Sequence, residues 1–166
     1  DVGHSVRTLD ECRTEATRDL TVQTNLLEAR LLAGSRHAFG AFERALQPLL
    51  DVATFFKAKR LEQQERHSRH DDTAFSLEPN CKESPGGLRD LQTILWIARA
   101  ARLGQSWHDL VEHDLITAQE AGQLERCERL LHHIRIRLHY QTKRHEDRLL
   151  FDHQEALAAA FGITAA

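Results

Sequence analysis

Leu77-Glu-Pro-Asn-Cys-Lys-Glu-Ser-Pro-Gly-Gly-Leu-Arg-Asp-Leu91 passes from a broken loop directly into a helix, and its reading decides the fold. Two prolines and a Gly-Gly pair interrupt the backbone. Leu88, Leu91, Leu95 and Ala98 then recur at helical spacing and mark one side of a helix that Gly104 stops. A glycine turn that opens a helix leaves backbone N–H groups pointing outward, and the helix dipole adds partial positive charge there. Lys82 precedes the turn and Arg89 lies just inside the helix, so two cations flank those donors. That combination suits a phosphate or another anion. The same spacing equally describes a Pro-Gly loop that only starts a helix.

Outward from this stretch the chain reads as helices. On its N-terminal side, Val2 to Arg7 alternates as the tail of a strand. Thr8 and Glu11 then form a capping box. Leu20, Val22, Leu26, Leu27, Leu31 and Leu32 predict a helical stripe ended by Gly34, and Ser35 starts another helix whose course Pro48 interrupts near Asp51. From Asp51 to about His70 the chain is helical and increasingly charged. On the C-terminal side, Ser106 begins a short helix and Thr117-Ala-Gln-Glu120 is a second capping-box signature. Leu124, Cys127, Leu131, Ile134 and Leu138 then fall on one seam of a long helix, with Arg126, Arg129, Arg135 and Arg137 elsewhere on its surface. A terminal helix from about His153 to Phe161 follows. The expected fold class is mainly α, a helical bundle behind one N-terminal strand.

With 166 residues, 41% hydrophobic and 28% charged, the chain can bury a core of its own. Its net charge of −3 supplies no basic field, so neither nucleic acid nor an anionic membrane surface is expected as a partner. No apolar run approaches the roughly 20 residues of a membrane span, and no secretory leader is expected. Cys12, Cys81 and Cys127 are widely spaced and read as reduced thiols, which suits a cytoplasmic protein. The absence of methionine and the start at Asp1 lead us to expect a piece of a longer chain.

Eleven histidines raise the question of a metal. His67 and His70 lie beside Asp71 and Asp72, and His132-His133 is a pair, but neighbouring helical residues point about 100° apart and cannot easily share one ion. His70-Asp71, His108-Asp109 and His113-Asp114 have the dipeptide of metal-dependent phosphohydrolases. The first falls where a helix dissolves into a loop and the others on short amphipathic segments, so solvent-facing histidines are the expected reading. HExxH, GxSxG, P-loop and GxGxxG motifs are absent from the sequence.

Several stretches together resemble one family: Val2-Gly-His-Ser-Val-Arg-Thr-Leu9, Asp19-Leu-Thr-Val22, Thr24-Asn-Leu-Leu-Glu-Ala-Arg-Leu-Leu-Ala-Gly34, Lys82-Glu-Ser-Pro-Gly-Gly-Leu-Arg-Asp-Leu-Gln-Thr-Ile-Leu-Trp-Ile97 and Asp147-Arg-Leu-Leu-Phe-Asp152. The family is that of the bacterial PII uridylyltransferase/uridylyl-removing enzymes. The resemblance implies residues 1–34 as the C-terminal edge of a nucleotidyltransferase palm, strand plus helices. Residues 35–166 would be a helical associated domain that ends before an HD phosphohydrolase domain. It implies transfer of UMP from UTP to a tyrosine of the PII signalling protein, hydrolytic removal of that group, and glutamine as an effector bound outside this segment. By comparison with the related glutamine-synthetase adenylyltransferases, Asp1 is expected to be a catalytic carboxylate and Mg²⁺ ligand. Lys82, Gly86, Gly87, Arg89 and Asp90 match a Lys–Gly-Gly–Arg-Asp pattern expected to serve the nucleotide phosphates, or instead to lock the helical region onto the palm. The segment alone is expected to be inactive. The alternative is a non-catalytic module that docks PII or relays between domains.

Overall fold

The computed structural model describes residues 4–70 and 72–163. Eight α-helices make up nearly all the regular structure among them: α1 (Leu9–Arg18), α2 (Leu20–Leu27), α3 (Arg36–Leu46), α4 (Val52–Ser68), α5 (Leu88–Ala100), α6 (Trp107–Glu112), α7 (Ala118–Thr142) and α8 (Phe151–Ala160). The mainly α class is as expected. Residues 4–7 adopt no strand and Val6 is fully exposed, because a strand needs a neighbour to take its N–H and C=O groups and none of the described residues lies against it. Residues 1–3 fall outside the described part.

The helix starts follow the side-chain chemistry of their caps. Thr8, Ser106 and Thr117 each accept from the N–H three residues on, and Glu11, Asp109 and Glu120 reach back to complete capping boxes. Asp19 ends α1 and caps α2, accepting from Thr21 N and Val22 N. Pro48 marks a real boundary: α3 ends at Leu46, Gln47–Leu49 form one 3₁₀ turn, and Asp51 caps α4.

α2 stops at Leu27, short of the predicted stripe, and Leu31 and Leu32 are exposed. The cause is tertiary. Arg99 Nη1 of α5 donates to Leu27 O at 3.2 Å, giving the helix end an outside partner. The predicted seam of α7 is also corrected. Leu138 is completely buried and Leu124 and Leu131 pack on the core, but Cys127 faces solvent.

α5 is the axis of the molecule. Its Leu88, Leu91 and Ala98 join Trp107 and Leu110 of α6 and Ala121 of α7 in one cluster, while Trp96 and Ala100 join Phe55 of α4 in another, with Leu20 and Leu27 of α2 against them. Being covered on two sides explains why an 'amphipathic' helix buries six residues, Thr93 among them. Lys59 of α4 is buried beside the second cluster, with Nζ 4.9 Å from the Trp96 ring centroid and 2.8 Å from Glu62 Oε2.

Past α5, Arg102 and Gly104 take positive φ values of 60° and 120°. The turn delivers Gln105 N and Ser106 N to Asp109 Oδ2 at 2.6 and 3.1 Å. Trp107 Nε1 donates to Glu128 Oε2 at 2.9 Å and pins α6 to α7. Finally, an isolated antiparallel bridge pairs Asn80 with Arg148, reinforced by Cys81 N to Asp147 O at 2.9 Å and Leu149 N to Pro79 O at 2.8 Å. The loop before α5 and the segment after α7 are thereby tied together.

Candidate functional site

The loop of residues 77–87 closes on itself before α5 begins. Asn80 Oδ1 accepts from Lys82 N and Glu83 N at 2.9 and 2.8 Å, and Ser84 Oγ accepts from Asn80 N at 2.9 Å. The glycines have separate reasons. Gly86 has φ +78°, which a side chain rarely adopts. At Gly87 a Cβ would stand 2.8 Å from Lys82 O and 2.9 Å from Ser84 O, so the second glycine permits a close backbone approach.

That approach uses the amide donors. Gly87 N donates to Ser84 O, Leu88 N to Cys81 O and Arg89 N to Lys82 O, at 2.8, 3.1 and 2.8 Å. Gly86 N donates to Asp90 Oδ2 at 2.8 Å. The expectation of outward-pointing amides at Gly86 and Gly87 is therefore corrected: the loop's own carbonyls and Asp90 take them. Any anion held here is held by side chains.

Asp90 is the anchor. Its Oδ1 accepts from Gln63 Nε2 at 3.0 Å and pairs with Arg66, and its Oδ2 lies 2.9 Å from His67 Nε2. Gln63, Arg66 and His67 lie three and four residues apart on α4, so one carboxylate on α5 reads one face of the neighbouring helix. Burial pushes the Asp90 carboxyl upward, but the hydrogen bonds from Gln63, Gly86 N–H and His67 and the charge of Arg66 outweigh it, leaving the pKa below the ordinary carboxylate value.

Asp147 plays the same part on the other side. Arg135 Nε of α7 donates to its Oδ1 at 2.6 Å, His139 Nε2 lies 2.9 Å from that oxygen, and Lys82 Nζ is 4.0 Å from Oδ2. Burial again raises this carboxyl, and the bonds from Arg135 and His139 with the charges of Arg135 and Lys82 bring it below its usual value. Cys81, whose Sγ donates to Asp147 O at 3.2 Å, is pushed up to about 11 by burial and then by the Asp147 charge, so it stays a thiol.

Glu83 lies between the two anchors. Its Oε1 is 3.3 Å from Lys82 Nζ and 3.4 Å from Arg89 Nη2, and its Oε2 is 3.8 Å from Arg66 Nε. Arg89 also donates to Gln92 Oε1 at 3.0 Å and lies 5.3 Å from the Trp96 ring centroid. Lys82 and Arg89 are each 28% exposed, so both reach solvent at the rim of the polar joint.

The structure thus brings Lys82, Gly86, Gly87, Arg89 and Asp90 together. Asp1 lies outside the described residues. Reading the sequence missed Gln63, Arg66, His67, Glu83, Arg135, His139 and Asp147 as members of this joint. The 63/66/67 spacing on α4 was the available signal, but the segment read only as an increasingly charged helix with solvent-facing histidines. Among the described residues no three His, Cys, Asp or Glu side chains gather as a metal site, so Mg²⁺ enters no step derived from them. His108 faces Glu112 at 3.5 Å, while Asp109 is spent on capping α6. No described helix is long and apolar enough to cross a membrane.

The family described as GlnD PII-uridylyltransferase matches residues 54–166. Three curated relatives, each named a bifunctional uridylyltransferase/uridylyl-removing enzyme, align over nearly the whole chain. The protein from Aromatoleum aromaticum is 61% identical over 99% of this chain, that from Bordetella parapertussis 56% over 97%, and that from Cupriavidus pinatubonensis 56% over 98%. The chain spans 19% of the length of each. No solved structure matches it.

Proposed function

The chain belongs to the PII-uridylyltransferase family, and from that premise we propose that it is the helical lobe of an enzyme that transfers UMP from UTP to a tyrosine of the PII protein and removes it hydrolytically. In this reading Asp90 sets α4, the glycine loop and α5 as one rigid body, and that body presents Lys82 and Arg89 to the nucleotide phosphates or the departing pyrophosphate. The supporting observation is the placement of those two cations at the solvent rim of a joint that the Asp90 carboxylate holds together. Fixed cations that do not reorganise are what phosphoryl and nucleotidyl transfer requires of a protein. Arg89 is held on three sides, by Glu83, Gln92 and the Trp96 ring, which makes it the better positioned of the two.

Arg89→Ala in the full-length protein is expected to lower UTP-dependent PII uridylylation about a hundredfold, equivalent to about 2.7 kcal/mol of transition-state stabilisation. The removing activity and the melting temperature should stay as they are. Transfer that survives, or that disappears only together with thermal stability, would make the segment a scaffold.

A docking or relay role is favoured by one observation. α7 is 25 residues long yet fully buries only Ala121 and Leu138, while Leu130, Ile136 and Tyr140 stay exposed along it. On that reading Arg89→Ala is silent, and substitutions on the outer face of α7 reduce PII binding.

A further inference from the structure

We propose that Arg66, Lys82 and Arg89 form a site for a phosphate or pyrophosphate group, and that Glu83 is its built-in counter-ion, displaced when the ligand arrives. This rests on the reading above for Lys82 and Arg89 and adds Arg66 and Glu83 to it. Three elements supply the cations: the last turn of α4, the loop, and the first turn of α5.

Glu83 is the loosest carboxylate of the joint. Its contacts with Lys82, Arg89 and Arg66 measure 3.3, 3.4 and 3.8 Å. Charge-assisted bonds close to about 2.7–2.9 Å when the partners are fitted to each other. Asp147 reaches 2.6 Å with Arg135 in the same network. Three cations therefore surround a carboxylate that satisfies none of them fully.

Arg66 gives independent support. The residue is only 9% exposed, and its Nε has no hydrogen-bond partner while facing Glu83. A buried donor left open costs free energy until an acceptor fills it. A tetrahedral group with several oxygens can meet Nε and both rim cations at once, which one carboxylate cannot.

The charge balance points the same way. Arg66, Lys82, Arg89 and Arg135 carry four positive charges against three negative ones on Glu83, Asp90 and Asp147, a surplus of one. If Glu83 swings into solvent the surplus becomes two, the charge of a phosphate dianion. Glu83 thus keeps the empty site nearly neutral and sets a threshold against weakly charged anions.

The test is calorimetric titration of the full-length protein with pyrophosphate, UTP and uridine, in wild type, Glu83→Gln and Lys82→Gln. Glu83→Gln keeps the shape and removes the competing charge, so pyrophosphate should bind about tenfold tighter, Lys82→Gln should weaken it, and uridine should respond to neither. Tightening of both UTP and pyrophosphate places the phosphates of the nucleotide in the site. Tightening of pyrophosphate alone places the released product there. Affinity for both that is unchanged or weaker in Glu83→Gln, with an unchanged melting temperature, overturns the proposal; should that variant melt early, unaltered pyrophosphate binding in Lys82→Gln overturns it. If Arg89→Ala abolishes transfer while Glu83→Gln is silent, the counter-ion proposal is overturned and the role of Arg89 in transfer stands. If Glu83→Gln tightens pyrophosphate while Arg89→Ala still transfers, the anion site stands apart from the transfer reaction.

Discussion

Asp90→Ala is expected to lower folding stability by about 3 kcal/mol or more, read as a shift in the urea unfolding midpoint. One carboxylate serves Gln63, Arg66, His67 and Gly86 N–H, so its removal orphans four donors at once. Arg66 suffers most, because it is buried and its remaining acidic neighbour, Glu83, stands 3.8 Å away. Breaking a buried pair from one side typically costs about 3–5 kcal/mol, most of it the desolvated charge left behind. The double variant Arg66→Met with Asp90→Leu should regain a large part of the loss, since it removes the stranded charge along with its partner. A deficit under about 1 kcal/mol in Asp90→Ala would show that water replaces the carboxylate and that the joint is not an anchor.

The same carboxylate sets an acid limit. The folded-state pKa values of Asp90 and Asp147 lie below their ordinary values, so their stabilisation is present above the ordinary carboxylate pKa and is lost as pH falls through the lowered folded values. Stability should therefore decline below about pH 4. In Asp90→Ala the decline should be shallower, because one of the carboxylates that take up a proton on unfolding is gone. An equally steep acid limb in the variant would assign the effect to other carboxylates.

Gly104→Ala should be comparably damaging, at about 3 kcal/mol. Gly104 sits at φ +120°, outside the comfortable range of any residue with a Cβ, and that strain alone costs about 1–3 kcal/mol. An added Cβ would also stand 2.0 Å from Asp109 Cβ, an overlap no rotamer change relieves. Asp109 cannot retreat cheaply, because its carboxylate holds Gln105 N and Ser106 N and caps α6. The damage should spread to the packing of Trp107 on the α5–α7 cluster, visible as a change in tryptophan emission along with the lower midpoint. A variant with wild-type stability would mean that the turn can adopt another path.

Local chemistry was legible in the sequence wherever one residue decides the outcome. Thr8, Ser35, Ser106 and Thr117 start helices as their side chains dictate and Pro48 interrupts one, whereas α5 ends at Ala100 ahead of a left-handed Arg102, short of the expected stop at Gly104. The core face of α5 was legible too, because Leu88, Leu91 and Ala98 repeat at helical spacing. What could not be read was decided between distant segments. The end of α2 depends on an arginine 72 residues away. The glycine amides looked free in the sequence, but Gly86 N–H is taken by the Asp90 carboxylate and Gly87 N–H by Ser84 O, a closure that propensity does not encode. Arg135 read as a surface charge until Asp147, brought round by the turn after α7, lay 2.6 Å from it. The polar joint was visible only at its Lys82–Asp90 edge, since its other members come from α4, α7 and the segment after α7.

The Asn80–Arg148 bridge has a consequence for the order in which this chain assembles. Cys81 and Asp147 are 66 residues apart, and α5, α6 and α7 all lie between them. Closing so long a loop costs about 4 kcal/mol in chain entropy or more, whereas each backbone hydrogen bond returns about 1 kcal/mol net. The bridge cannot gather the helices; only helices that have already packed can deliver its two halves to each other. It is a late contact, formed on completion, and the charged joint built around Asp147 inherits that timing. Lys82, whose Nζ faces Asp147 at 4.0 Å, therefore meets its full surroundings only in a lobe that has finished folding.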